Sequence, residues 1–189
     1  MNLIALAAIS YLIGSVPFAY IFVRLKLRQD VRQLGSGNVG AMNSFEVTGS
    51  KLIGILVGLG DALKGVMAVM IAQQLFGDAL LPKMVATLLV MLGHNYSVWL
   101  KFKGGRGLAT AAGATLLFVP SVPLLWGALW VMTWLYSRKI HFANIWATAM
   151  LVVAVPIFEP ADVFYFAIFL CGLILLRHKD VMRSAFQGR

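Results

Sequence analysis

The chain has 189 residues, of which 60% are hydrophobic and only 12% charged, about half the charged fraction usual in soluble proteins. With a mean hydropathy of +0.85, its long apolar runs point to lipid rather than water as the main solvent. The net charge of +9 would suit a nucleic-acid binder, but fourteen of the sixteen Lys and Arg fall in four short segments between apolar runs, which argues against that class. The one cysteine, Cys171, allows neither an internal disulfide nor a cysteine-based zinc site and reads as a small packing residue.

The apolar pattern predicts helices over 3–23, 52–75, 80–100, 108–120, 121–136, 142–158 and 162–176. The first run lacks a basic leader and is too long for a cleaved signal, so it is expected to stay as a membrane helix. It is followed by "LGSGNVGAMNS", Leu34–Ser44, a polar loop rich in glycine. Its G-x-G-x-x-G pattern lacks the strand and βαβ setting of a dinucleotide site, and Ala41 and Met42 stand where a P-loop needs Lys and Ser/Thr. Glycines 35, 37 and 40 can still turn backbone N–H groups toward an anion, with Ser36, Asn38 and Asn43 as further donors. A tight turn with a helix cap is the plainer alternative.

The second run carries Asp61 and Lys64, one helical turn apart, inside apolar surroundings, where ionisable groups need a partner or a polar cavity. They read either as a structural pair supporting the glycine loop or as ligand contacts. The third run leads into "GHNYSVWLKFKGGRGLAT", Gly93–Thr110, with a second glycine turn, Gly104–Gly105, bracketed by Lys103 and Arg106. Two cations beside flexible backbone donors suit phosphate, although a topogenic basic segment would look alike. His94 is a hydrogen-bonding residue or a proton-transfer aid. The run at 108–120 is short for a span, and Pro120 and Pro123 mark its end and the next start. After the last run come Arg177 and His178 in "RHKDVMRSAFQGR".

Seven spans with the N-terminus outside put 24–51, 101–107, 137–141 and the tail from 177 on the cytoplasmic side. These are the basic segments, while Asp78, Glu159 and Asp162 fall on the opposite connections. Charge bias and helix parity therefore agree. The expected fold is an all-α integral membrane protein, a bundle of seven transmembrane helices with some short or partial, C-terminus cytoplasmic, forming one domain over 1–189.

"GSGNVGAMN", "GHNYSVWLKFKGGRGLAT" and "RH" after the last helix resemble the three signature motifs of the bacterial acyl-phosphate:glycerol-3-phosphate acyltransferases, the PlsY family; "DALKG" and the charge topology also fit. The resemblance implies a seven-helix enzyme of the bacterial inner membrane with its site facing the cytoplasm. It would move a fatty acyl group from acyl phosphate to the 1-hydroxyl of glycerol 3-phosphate, giving lysophosphatidic acid and phosphate without metal, coenzyme A or other cofactor. It also implies a functional link to an enzyme that makes acyl phosphate. By the motifs, Ser36, Gly37, Asn38 and Asn43 would line a phosphate loop with Gly35 and Gly40. Lys103 would bind phosphate and polarise the reacting centre, with Gly104, Gly105 and Arg106 beside it. His178 would orient the acceptor or move its proton. Arg177 and His94 are further candidates for contact with substrate, and His141, although it departs from the pattern, is another. The His-x4-Asp pattern of the soluble-domain glycerolipid acyltransferases is absent: His94, His141 and His178 are followed five residues on by Trp99, Trp146 and Arg183.

The chain departs from the family pattern mainly on the acceptor side. Glu46 stands where an arginine is usual, Met42 replaces a threonine, Arg106 a lysine, His141 and Asn144 sit at usual serines, and Val181 replaces an asparagine. A carboxylate cannot replace an arginine clamp on phosphate. The alternatives are an acyl-phosphate-dependent enzyme with another acceptor, a non-catalytic lipid-handling paralogue or, less favoured because the polar islands share one face, an anion transporter.

Overall fold

The computed structural model describes residues 2–186, so Arg189 of the basic tail lies outside the described residues. Every regular element among them is helical: α1 (Leu3–Ser15), α2 (Phe18–Leu27), α3 (Ala41–Thr48), α4 (Lys51–Phe76), α5 (Leu80–Asn95), α6 (Leu108–Leu116), α7 (Ser121–Ser137), α8 (Ile140–Phe158), α9 (Ala161–Arg177) and α10 (Lys179–Phe186). Three stretches are long and apolar enough to cross a membrane: Leu3–Leu27, Lys51–Phe76 and Ile140–Phe158. The chain forms two compact units, Met1–Leu117 and Phe118–Arg189.

In the first unit, α1 packs on α5 and α4 on α6. Both contacts rest on small residues that let backbones close up, as membrane helices require. A Cβ on Gly14 would overlap the Val90 carbonyl, one on Gly93 the Tyr11 carbonyl, and one on Gly113 the Ala62 carbonyl. Helix α4 buries Val57, Asp61, Lys64, Gly65, Ala68 and Ala72 and turns Leu52, Ile55, Leu59, Leu63, Met67 and Met70 outward. An apolar outer face is what a lipid solvent asks of a spanning helix.

The helix expected over 3–23 is broken. Pro17 has no N–H to continue the ladder, so α1 stops at Ser15 and α2 starts at Phe18. The carbonyls freed by the break find side-chain donors: Ser97 Oγ to Ser15 O at 2.6 Å and Lys64 Nζ to Val16 O at 3.2 Å. Segment 24–51, expected as a loop, holds a 3₁₀ turn at Val31–Gln33 and α3. The helix expected over 80–100 ends at Asn95, ahead of a 3₁₀ turn at Val98–Leu100.

In the second unit, α8 packs against α7 and α9. Trp126, Trp130 and Trp134 stack along α7, with neighbouring ring centroids 6.4 and 6.0 Å apart. The indole N–H groups of Trp126 and Trp130 donate to Thr148 Oγ1 at 3.0 Å and Asn144 Oδ1 at 2.7 Å on α8. Asn144 thus serves helix packing. Cys171 is buried within α9, as its apolar run suggests.

Candidate active site

The first glycine loop is built on Asn43. Its side chain, 1% exposed, lies under the loop. Oδ1 accepts from the Ser36 N–H at 2.9 Å, and Nδ2 faces the Asn38, Leu34 and Val31 carbonyls at 3.0, 3.2 and 3.4 Å. Gly35 and Gly37 take left-handed φ of +55° and +70°, and a Cβ on Gly35 would strike Asn43 Oδ1. The expected nest is therefore narrower than its glycines suggest. The Ser36 N–H is held by Asn43, and the Gly37 N–H donates to Leu34 O at 2.9 Å. What remains at the loop's end is the start of α3, whose first intrahelical bond runs from Ser44 N to Gly40 O. The N–H groups of Ala41, Met42 and Asn43 lie before that bond, at the positive end of the helix.

The second loop lies against the first. A Cβ on Gly105 would lie 2.5 Å from the Val39 carbonyl oxygen and would overlap Nε2 of His94. The Gly105 N–H donates to His94 O at 3.1 Å. Gly104, Gly105 and Arg106 are buried, whereas Lys103, beside them, is exposed. Lys101 and Phe102 enter the turn with φ of +55° and +61°, conformations side chains seldom adopt. Arg32, which sequence reasoning counted only as a topogenic cation, ties the two loops: Nη1 donates to Leu100 O at 3.0 Å while Nε and Nη2 grip Asp30. The Arg32 hydrogen bond holds the Asp30 carboxyl below its usual 3.8, and the same bond raises Arg32.

Beneath the second loop, Lys64 Nζ lies 2.8 Å from Asp61 Oδ1 and 2.7 Å from His94 Nδ1. All three residues are buried and border a small cavity that Val39, Ser97 and Gly104 also line. Of the other expected site residues in this unit, Gly35 and Ser36 are exposed, and Gly37, Asn38 and Gly40 are half-buried. Glu46 is exposed on α3. In the second unit, His141 is half-buried in the first turn of α8, and Arg177 is half-buried at the end of α9. His178 is fully buried, and its Nδ1 lies 2.8 Å from Ile174 O. A carbonyl accepts only from a protonated nitrogen, so Nδ1 carries the proton and a neutral His178 keeps its lone pair on Nε2.

Two abutting glycine loops with a lysine beside the second form an arrangement that suits phosphate-bearing groups. Comparison places the chain within one family. The family model described as glycerol-3-phosphate acyltransferase matches residues 4–188. The glycerol-3-phosphate acyltransferase of Pseudomonas aeruginosa PAO1 is 38% identical, covering 97% of this chain and 96% of that protein. That of Syntrophomonas wolfei is 35% identical over 93% of this chain and 89% of its own length. Crystal structures of PlsY, an integral membrane glycerol 3-phosphate acyltransferase, superpose well. The glycerol 3-phosphate form has a TM-score of 0.86 at 34% identity, over 99% of this chain and 94% of that one. The lysophosphatidic acid form has a TM-score of 0.83 at 33% identity, with the same coverage. The chain belongs to the glycerol-3-phosphate acyltransferase family and is an all-helical integral membrane acyltransferase.

Proposed function

We propose that the chain transfers a fatty acyl group from acyl phosphate to the 1-hydroxyl of glycerol 3-phosphate, releasing lysophosphatidic acid and inorganic phosphate, the first acylation of phospholipid synthesis. The observation that carries this reading is the seam where Val39 meets Gly105, with the Lys103 ammonium beside it, in a chain the family model matches from end to end. In the reaction the hydroxyl oxygen attacks the acyl carbonyl carbon, the bond from that carbon to the phosphate oxygen breaks, and phosphate leaves. An acyl phosphate is already activated, so no acyl-enzyme is needed. The protein's task is to hold two anions together and stabilise charge on the carbonyl oxygen and the departing phosphate.

Lys103 supplies the mobile cation, and Gly104, Gly105 and Arg106 complete the second loop. Ser36, Asn38 and Gly40 contribute from the first loop, whose shape Gly35, Gly37 and Asn43 maintain. The family resemblance assigns the hydroxyl proton to His178 or to a substrate phosphate; Arg177 is a further cation for substrate binding, and His141, which stands where the pattern has a serine, would compensate on the acceptor side. Both compact units serve one catalytic domain over 1–189. Seven crossings, N-terminus outside, put the loops on the cytoplasmic side of the bacterial inner membrane, where an enzyme producing acyl phosphate would supply the donor. The positive-inside distribution of Lys and Arg supports that orientation.

The test is phosphate release by the purified protein with palmitoyl phosphate, with and without glycerol 3-phosphate. Release that requires glycerol 3-phosphate and yields lysophosphatidic acid is expected. Release without lysophosphatidic acid would move the assignment to another acceptor, and no release with acyl phosphate bound would make the chain a lipid-handling paralogue.

A further inference from the structure

Three buried ionisable side chains sit below the glycine seam; the bond changes of acyl transfer need none of them, although sequence alone made His94 a candidate for substrate contact. Asp61 and Lys64 occupy the middle of α4, and His94 the last turn of α5, thirty residues later. They are 4%, 3% and 7% exposed. An ammonium has three protons, and Lys64 Nζ has three acceptors around it: His94 Nδ1 at 2.7 Å, Asp61 Oδ1 at 2.8 Å and the Val16 carbonyl at 3.2 Å. His94 Nδ1 also lies 3.4 Å from Asp61 Oδ1, so the tautomer follows from Lys64 being the ammonium. Nδ1 accepts from Lys64, so in the neutral ring Nε2 carries the proton. That Nε2 edge lies against Gly105, where a Cβ would overlap it.

Stability gives a poor reason for such a group. Buried ion pairs lose in desolvation about what they gain in attraction, and apolar residues of the same volume often replace them without loss. Geometry gives a better one. The triad joins the α1–α2 break, through Val16 O, to α4, α5 and the turn of the second loop. The same histidine contributes its backbone carbonyl to the Gly105 N–H at 3.1 Å, so the turn rests on His94 through both its main chain and its ring.

We propose that Asp61, Lys64 and His94 are positioning residues: Lys64, held by Asp61, fixes the His94 ring so that its Nε2–H edge sets the height of the Gly104–Gly105 turn, and with it Lys103, against the first glycine loop. The inference rests on the acyl-phosphate reading of this site. His94 acts through the turn and does not touch the reacting atoms.

Two substitutions at one position separate this from a merely structural role. In His94→Asn, the amide oxygen reaches the place of Nδ1 and keeps the Lys64 contact, but nothing occupies the place of Nε2. In His94→Gln, the amide reaches the place of Nε2 and restores a donor there. Steady-state kinetics with palmitoyl phosphate and glycerol 3-phosphate are measured alongside thermal unfolding in detergent. The expected result is a kcat loss of about 100-fold in His94→Asn with an unfolding temperature close to wild type, since an ångström of displacement at a reacting group costs about that much. His94→Gln is expected to stay within about tenfold of wild type on the same scale. A His94→Asn enzyme with wild-type kcat overturns the proposal. So does a pair of variants whose activity and unfolding temperature fall together. If the wild-type protein itself releases no phosphate in a glycerol 3-phosphate-dependent manner, the reading of function fails instead, and the two failures are told apart by that one control.

Discussion

Lys103 is an exposed cation directly before the buried Gly104, Gly105 and Arg106, which suits its proposed role of following charge from the carbonyl to the leaving phosphate. Lys103→Met should lower kcat by about 100-fold or more, the usual cost of removing one such donor; unchanged turnover with both substrates saturating would remove Lys103 from the chemistry. Glu46 shows the opposite sign on α3, exposed where the family pattern has an arginine. If α3 faces the acceptor, Glu46→Arg should raise kcat/KM for glycerol 3-phosphate several-fold, an exposed charge being worth up to about 1 kcal/mol, and a ratio unmoved in either direction would detach this residue from acceptor binding. Asp30 is a structural carboxylate. The Arg32 hydrogen bond holds its folded-state pKa below 3.8, so its contribution to stability is present above the ordinary carboxylate range and is lost as the pH falls through the lowered value. Asp30→Asn should therefore unfold at a lower temperature than wild type at neutral pH, with the gap closing as the pH drops below about 4. A gap that stays constant into acid would mean that the Arg32 contact contributes nothing. The places of Lys103 and the glycines in the two loops could be read from local motifs. The Arg32 bond to Leu100 joins residues 68 apart, and no local pattern carries that.

Among the elements, the long apolar helices were legible because lipid imposes one rule, a long and predominantly apolar run, and the chain obeys it over Lys51–Phe76 and Ile140–Phe158. The break at Pro17 was not legible in the same way. Membrane helices tolerate proline when neighbours satisfy the freed carbonyls, and only the folded chain reveals that Ser97 and Lys64 do so. Helix α3 was hidden for a different reason. At eight residues it is too short for periodicity to speak, and it is held by Asn43 reaching back under the loop. The seam between the loops depends on the absence of a side chain at Gly105. Gly105→Ala would drive a methyl group into the Val39 carbonyl oxygen and the His94 ring, so the loop, the ring or both must shift. The expected outcome is a fall in kcat/KM of about 100-fold with the helical circular dichroism retained. Wild-type kinetics in that variant would mean the loops need not touch for turnover.

At the scale of the molecule, the proposed topology turns on a short helix. Helix α6 has nine residues and rises only ~13 Å, against ~30 Å of hydrocarbon. Length alone would leave it short of a crossing. Charge parity says otherwise. Lys101, Lys103 and Arg106 precede α6, and Arg138 and Lys139 follow α7. If α6 did not carry the chain across, α7 would place Arg138 and Lys139 outside, against the positive-inside bias that every other connection obeys. The two are reconciled if α6 starts below the headgroups, its leading turn shielded from lipid by protein, as the burial of Gly104, Gly105 and Arg106 would allow. The exposed residues Arg28, Asp78, Pro120, Lys139 and Asp162 provide the test, each replaced singly by cysteine in a Cys171→Ala background, which removes the chain's one native thiol. A membrane-impermeant maleimide applied to intact spheroplasts should label positions 78, 120 and 162, and positions 28 and 139 should react only after permeabilisation. The position after α6 is the decisive one. Labelling of Pro120→Cys from outside fixes seven crossings and a cytoplasmic glycine seam; labelling only after permeabilisation would end the chain's parity at six or fewer and oblige the second unit to enter the membrane the other way up.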